Sequence, residues 1–230
     1  MGKKEKQMKQ TIGLLCVVRN EATRIKNFLD YTLNFVDAVC VADQQSDDGT
    51  WEILQEYQKN SKIPFDIWQD KMHGYSEPSK QACADRLNTD WILYLDPDEI
   101  AEQVFLEKMH ELVENPDVDG YWLKRQNVFL VRIYGENTPI EPKVLNVVHP
   151  AKDDQLRLTR KKYSMFPPQI HVRVRVRRNP EEDGKQRTEH TEYSIIHQKT
   201  LQEQFDDDKR YEEPVREVQE QIDKGTAKNW

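Results

Sequence analysis

The sequence predicts an α/β protein whose mostly parallel central sheet is flanked by helices. Three observations carry that prediction. The apolar runs at residues 11–18, 38–42 and 91–95 are short and lack the alternation of a half-exposed strand, so they read as strands buried on both faces. Stretches with helical spacing of apolar residues separate them. Each run stops at charged or polar residues, namely Arg19-Asn20-Glu21, Asp43 and Asp96-Pro97-Asp98, and in parallel α/β sheets ligands bind where the strands end.

Length and composition bound the possibilities. A chain of 230 residues with 37% hydrophobic content suits one core. With 33% charged residues and a net charge of −7, a sequence-independent nucleic-acid binder is disfavoured. Cys16, Cys40 and Cys83 are odd in number and set in apolar contexts, as expected of small core residues in a reducing compartment, not of disulfides or a zinc site. No run of about 18 apolar residues occurs, and the lysine-rich tail at residues 1–10 lacks an apolar signal core. A soluble, cytoplasmic protein is expected, with that basic tail as the only feature suited to peripheral membrane contact.

Along the chain, a helix over residues 22–33 presents Ile25, Phe28, Leu29 and Leu33 on one face. A polar loop over 44–50 follows the second strand, and Asp48 can cap a helix carrying Trp51, Ile53, Leu54 and Tyr57. Residues 65–69 suit an edge strand, and Ser76 or Glu77 starts a helix with Pro78 in its first turn, ending near Leu87. The central strand then runs into Asp96, Asp98 and Glu99. Three acids within four positions repel one another unless a cation or several donors share the site. Carboxylates suit Mg²⁺ or Mn²⁺, which can bridge protein to phosphate. The structural alternative is an acidic turn in which Asp98 caps a helix beginning at Ile100. An amphipathic helix over 101–114 carries Val104, Phe105, Met109, Leu112 and Val113.

The second half reads differently. Residues 119–130 suit one or two strands, and 133–149 a proline-punctuated loop or hairpin over the site. Strands are expected at 155–159 and 169–177, the latter with Val172, Val174 and Val176 opposite His171, Arg173, Arg175 and Arg177. A charged loop at 179–188, a strand at 193–197 and a charged helix from 201 to about 222, interrupted near Pro214, complete the chain.

Taken in order and spacing, these strand ends resemble GT-A fold glycosyltransferases of family 2, nearest the small bacterial and viral members related to lipopolysaccharide-core glucosyltransferases. The family's Arg-Asn-Glu triplet is matched by Arg19-Asn20-Glu21, and its Asp-Ser-Gly-Ser-Thr-Asp loop by Asp43-Gln44-Gln45-Ser46-Asp47-Asp48. Asp96-Pro97-Asp98 matches the Asp-x-Asp motif, Asp153-Asp154-Gln155-Leu156-Arg157-Leu158 an Asp-x-Gln-x-Arg-Leu motif, Ile170-His171-Val172 a Val-His-Glu, and Ile195-Ile196-His197 a late strand ending in His. Two positions depart from the pattern. Gln44-Gln45 replaces small residues, and Val172 replaces an acid.

The resemblance implies a GT-A fold with a C-terminal acceptor-side β segment and a terminal helix. After the polar tail at 1–10 it implies one domain over 11–230, with a nucleotide-binding half at 11–116, an acceptor and catalytic half at 117–200 and the helix at 201–230. It implies an inverting hexosyltransferase that uses Mn²⁺ or Mg²⁺ and a nucleotide-diphosphate sugar, first of all a UDP-sugar. The acceptor hydroxyl stays open among a glycan, a lipid-linked glycan, a protein, a small molecule and a modified nucleobase. Carried over residue by residue, Asp98 binds the metal, Asp96 reaches the ribose or the metal, and Asp43 accepts from base or ribose. Arg19, Asn20 and Glu21 line the donor pocket, although capping of the first helix is their structural alternative. His197 is the candidate third metal ligand and His171 its competitor. Asp153 or Asp154 supplies the base, with a lean to Asp153, and Arg157 orients it or faces phosphate; neighbouring strand residues face opposite ways, so only one of the two acids reaches the acceptor. The arginine stripe at 173, 175 and 177 suits either a solvated face or an anion site. A sugar-phosphate nucleotidyltransferase and a dehydrogenase would each want a glycine-rich loop after a strand, and Arg19-Asn20-Glu21 has no glycine. An inactive nucleotide-sugar-binding protein is the remaining alternative, and the usable side chains at the metal and base positions weigh against it.

Overall fold

The computed structural model describes residues 9–132, 142–146, 153–169 and 172–200. Their order is β1 (Ile12–Val18), α1 (Ile25–Thr32), β2 (Ala38–Asp43), α2 (Thr50–Asn60), β3 (Phe65–Gln69), α3 (Glu77–Arg86), β4 (Trp91–Tyr94), β5 (Glu99–Ala101), α4 (Gln103–Leu112), β6 (Gly120–Arg132), β7 (Pro142–Asn146), β8 (Asp154–Arg160), β9 (Ser164–Met165), β10 (Arg175–Val176) and β11 (Thr188–Thr200). Nine strands form one sheet in the order β3-β2-β1-β4-β8-β6-β11-β5, with β7 paired to β6.

The unalternating apolar strands have a direct cause. Ile12, Leu14, Cys16 and Val18 of β1 pack on one face with residues of α1, α2 and α4, while Leu15 and Val17 pack on the other with Cys83, Ala84 and Leu87. Both faces of β1 are therefore core, and every residue of β1, β2 and β4 is buried. The four strands β3, β2, β1 and β4 are mutually parallel, so their C-terminal ends lie along one rim. The second half of the sheet is mixed. Strand β8 runs antiparallel to both β4 and β6, which brings its first residues to that rim, while β11 runs parallel to β6 and antiparallel to β5.

Two expectations are corrected. Asp98 does not cap a helix at Ile100, because Glu99–Ala101 is strand β5, laid against Ile195–His197 of β11, and α4 starts only at Gln103. The buried face of α4 is accordingly Phe105, Leu106 and Met109, and Val104 is exposed. Residues 169–177 are not a continuous strand either. Among the described ones only Arg175–Val176 pairs, with β9, since Pro167 and Pro168 have no N–H with which to extend that ladder. The expected C-terminal helix with Pro214, most of the 133–149 segment, and His171 lie outside the described residues. No helix among the described residues is long and apolar enough to cross a membrane. The three cysteines are buried and free.

Gly13 shows how closely the β1–β4 region is packed. A Cβ there would stand 2.6 Å from Thr89 Oγ1 and 2.8 Å from Leu87 Cδ2. Gly13→Ala should therefore destabilise the protein by roughly 1–3 kcal/mol through overpacking. Urea denaturation checks this, and an unchanged midpoint would show that the Leu87–Thr89 turn yields freely.

Candidate active site

The exit of β4 is built around a buried ion pair. Arg157, on β8 beside Tyr94, donates from Nη2 to the Glu99 carboxylate and lies 3.6 Å from Asp96 Oδ2. Its guanidinium also covers the Tyr94 ring, 4.3 Å from the centroid, and Lys80 of α3 stands 4.5 Å from the same centroid. The Tyr94 hydroxyl donates to both Asp96 oxygens, at 2.9 and 3.0 Å, and burial followed by the Asp96 charge pushes its pKa up, so it stays a donor. Burial likewise pushes the Glu99 carboxyl above the ordinary carboxylate range, with the Arg157 charge pulling it back. Burial alone would lower the pKa of Arg157, but the surrounding Glu99, Tyr94 and Asp96, together with the hydrogen bond to Glu99, outweigh it and keep the guanidinium charged. The cation that lets acids crowd this strand end is thus, for Asp96 and Glu99, the protein's own arginine.

Asp98 has other company. Its Oδ2 lies 3.0 Å from Nε2 of His197, and the Gln198 N–H donates to its carbonyl. His197 sits in the ladder between Glu99 of β5 and Asn127 of β6. Arg125, two residues before Asn127, places Nη2 within 2.7 and 3.0 Å of the two ring nitrogens of His197, and its Nη1 lies 3.6 Å from Asp153. Asp153 also takes a 2.6 Å hydrogen bond from Gln155 Nε2 and stands 3.4 Å from Arg173. A chain Asp98–His197–Arg125–Asp153 therefore joins three of the motifs found in the sequence. Asp154 faces elsewhere, toward His190 at 2.7 Å, whose ring stacks on Trp122. Arg173 is drawn to Asp153, and Arg177 donates to the Gly184 carbonyl, so the arginine stripe does not act as one surface.

At the first two strand ends the side chains hold the loops to each other. Asn20, at φ 55°, donates from its backbone N–H to Ser46 Oγ, and its amide exchanges two hydrogen bonds with Asp47. Glu21 N–H donates to Thr50 Oγ1, its carbonyl accepts from Arg24 and Ile25, and Arg19 is exposed. Asp43 is fully buried, accepting from the N–H and hydroxyl of Ser46. Gln44, one of the departures from the family pattern, is buried as well, and its amide donates to the Tyr75 carbonyl and Ser79 Oγ. The longer side chain thus ties this loop to the start of α3. Asp48 accepts from Thr50 and from Ala22 N–H; burial raises its pKa, but these hydrogen bonds prevail and lower it.

Among the described residues no three His, Cys, Asp or Glu side chains converge as a ligand set. Asp98 and His197 do converge as a pair, and Mg²⁺ or Mn²⁺ sites that serve phosphates commonly take only one or two protein ligands and leave the rest to the substrate. Nearby, the Nε–H groups of Arg125 and Arg157 are buried and have no hydrogen-bond acceptor among the described residues, which suits an anionic ligand. The donor set fits a metal bound together with a diphosphate. Sequence reasoning missed Arg125 and Asn127, which carry no motif and meet His197 only through the β6–β11 register.

With this geometry in place, comparison with known proteins is informative. The family model for glycosyl transferase family 2 matches residues 14–138, more than half of the chain. No curated protein matches the sequence. Among solved structures, S. aureus TarS 1–349 in complex with UDP-GlcNAc is similar at 18% identity over 56% of this chain and 37% of that one, with a TM-score of 0.45. A mannosyltransferase, PcManGT from Pyrobaculum calidifontis in complex with GDP-Man and Mn²⁺, is similar at 15% identity over 52% and 36% of the two chains, also with a TM-score of 0.45. The chain thus spans less than half the length of either.

The buried pair yields a stability test. Arg157→Leu leaves Glu99 buried without its main cation and should cost about 3–5 kcal/mol. The double variant Arg157→Leu/Glu99→Leu should recover part of that loss, as measured by a denaturation cycle. Additive losses would mean that the two side chains do not stabilise each other.

Proposed function

Because the chain belongs to glycosyl transferase family 2, we propose that it is a glycosyltransferase that moves a sugar from a UDP-sugar to a hydroxyl acceptor with inversion, using Mn²⁺ or Mg²⁺. The observation that carries this reading is the meeting of Asp98, His197 and, through Arg125, Asp153 at the rim where the parallel strands end.

In this reading Asp98 and His197 are the residues that would hold the divalent ion. The ion supplies charge that offsets what builds on the leaving group. Asp96, held by Tyr94 and beside Arg157, accepts a hydrogen bond from the ribose. Asp43 acts through the loop it ties to Ser46, and the Arg19-Asn20-Glu21 turn closes the nucleotide side. Asp153 takes the proton of the acceptor hydroxyl as its oxygen attacks the anomeric carbon, and the bond to the diphosphate breaks with its electron pair. The links from Asp153 to the Asp98 side favour it over Asp154, which is turned to the half-buried Trp122 and exposed His190.

Two measurements test this. Asp98→Asn should abolish most Mn²⁺-dependent binding of UDP while the fold survives, read by calorimetry with and without chelator; metal-independent binding of equal strength in both proteins would refute the metal role. Asp153→Asn should lower turnover by roughly two to four orders of magnitude at saturating donor, with donor binding retained and Asp154→Asn nearly silent. The reverse ranking would move the base to Asp154, and two silent variants would place it on neither.

A further inference from the structure

His197 has two ring nitrogens, and the structure gives each a different neighbour. Nδ1 lies 2.8 Å from Asn127 Oδ1, and Nε2 lies 3.0 Å from Asp98 Oδ2. The Arg125 nitrogen is almost equidistant from both ring nitrogens, which sets it over the ring and not along either lone pair. The in-plane directions of the imidazole are therefore left to Asn127 and Asp98. A neutral imidazole donates from one nitrogen only. If Nδ1–H donates to the Asn127 carbonyl oxygen, Nε2 turns a lone pair toward the Asp98 carboxylate. Two acceptors facing each other at 3.0 Å repel when nothing lies between or beside them, and together they attract a cation.

We propose that Asn127 is a positioning residue for the metal: its amide oxygen holds the Nδ1–H of His197 and so fixes the ring in the tautomer and orientation that present Nε2, beside Asp98, to a divalent ion. Asn127 suits this task because it is the ladder partner of His197 on β6, so backbone pairing sets its reach. An outer hydrogen bond of this kind raises the basicity of a ligating imidazole and removes its rotational freedom. Asn127 touches neither donor nor acceptor in this account, and the inference rests on the reading of Asp98 and His197 as metal ligands given above.

The test is the affinity of the full chain for Mn²⁺ itself, measured by electron paramagnetic resonance of free Mn²⁺ with and without UDP. Asn127→Ala should weaken Mn²⁺ binding by about 10- to 100-fold. Asn127→Asp, which can only accept, should bind Mn²⁺ within a few-fold of the parent or more tightly, whereas Asn127→Leu, which fills similar space without an acceptor, should be as weak as Asn127→Ala; parent-like binding in Asn127→Leu would mean that the residue merely fills space and would overturn the inference. Loss of Mn²⁺ binding in Asn127→Asp as well would overturn the inference, since it would mean that the amide donates to Nδ1. Parent-like affinity in Asn127→Ala would overturn it too while leaving the metal reading intact. A parent protein that binds no Mn²⁺ even with UDP would overturn both together. Should Asn127→Ala fold poorly in thermal denaturation, the comparison of Asn127→Asp with the parent still decides between acceptor and donor.

Discussion

The arrangement depends most on one constraint, the buried contact between Arg157 and the Glu99 carboxylate. Strand β8 enters the sheet antiparallel between β4 and β6, and Arg157 is the side chain that reaches back from it to the turn after β4. An arginine this deeply buried needs its partner, and so does the acid, since either one alone would be an uncompensated charge in the core. The pair therefore fixes where the Asp96–Glu99 turn can lie relative to β8. From Glu99 the chain continues as β5 against β11, which puts Asp98 within reach of His197. One ion pair thus couples a strand exit of the parallel half to the mixed half that carries Asp153 and His197.

The division of labour among the acids follows from the same contact. Asp96 and Glu99 share the Arg157 charge, so their crowding is offset inside the protein. Asp98 points away to an imidazole, which is a metal ligand when neutral. In the proposed reading, a site assembled from neighbouring residues in this way separates a carboxylate for the nucleotide from one for the cation without lengthening the motif.

Much of the fold is legible in the amino-acid sequence because the parallel strands β1, β2 and β4 are buried on both faces, and a short unbroken apolar run that stops at polar residues is the pattern such strands leave. The site is legible in part, through acids and a histidine at strand ends. What escapes has a common cause in long-range pairing. Strand β5 is three residues long, and its existence depends on Ile195–His197 almost a hundred positions later, so local signals suggest a helix cap instead. Arg125 and Asn127 belong to a strand with no distinctive pattern, and their meeting with His197 is a matter of register, which sequence alone does not encode locally. The alternating valines before Val176 mislead in the opposite direction, since alternation describes which side faces the core and not whether a neighbour strand is there to pair.

The central claim is that a divalent ion sits between this chain and a nucleoside diphosphate at the Asp98–His197 pair. The most direct measurement is anomalous diffraction at the manganese edge from crystals grown with Mn²⁺ and UDP. The account predicts a single strong peak in coordination distance of an Asp98 carboxylate oxygen and His197 Nε2, with the diphosphate completing the shell. A diphosphate ordered at the rim with no peak beside it, or a peak ligated by other residues, would contradict it.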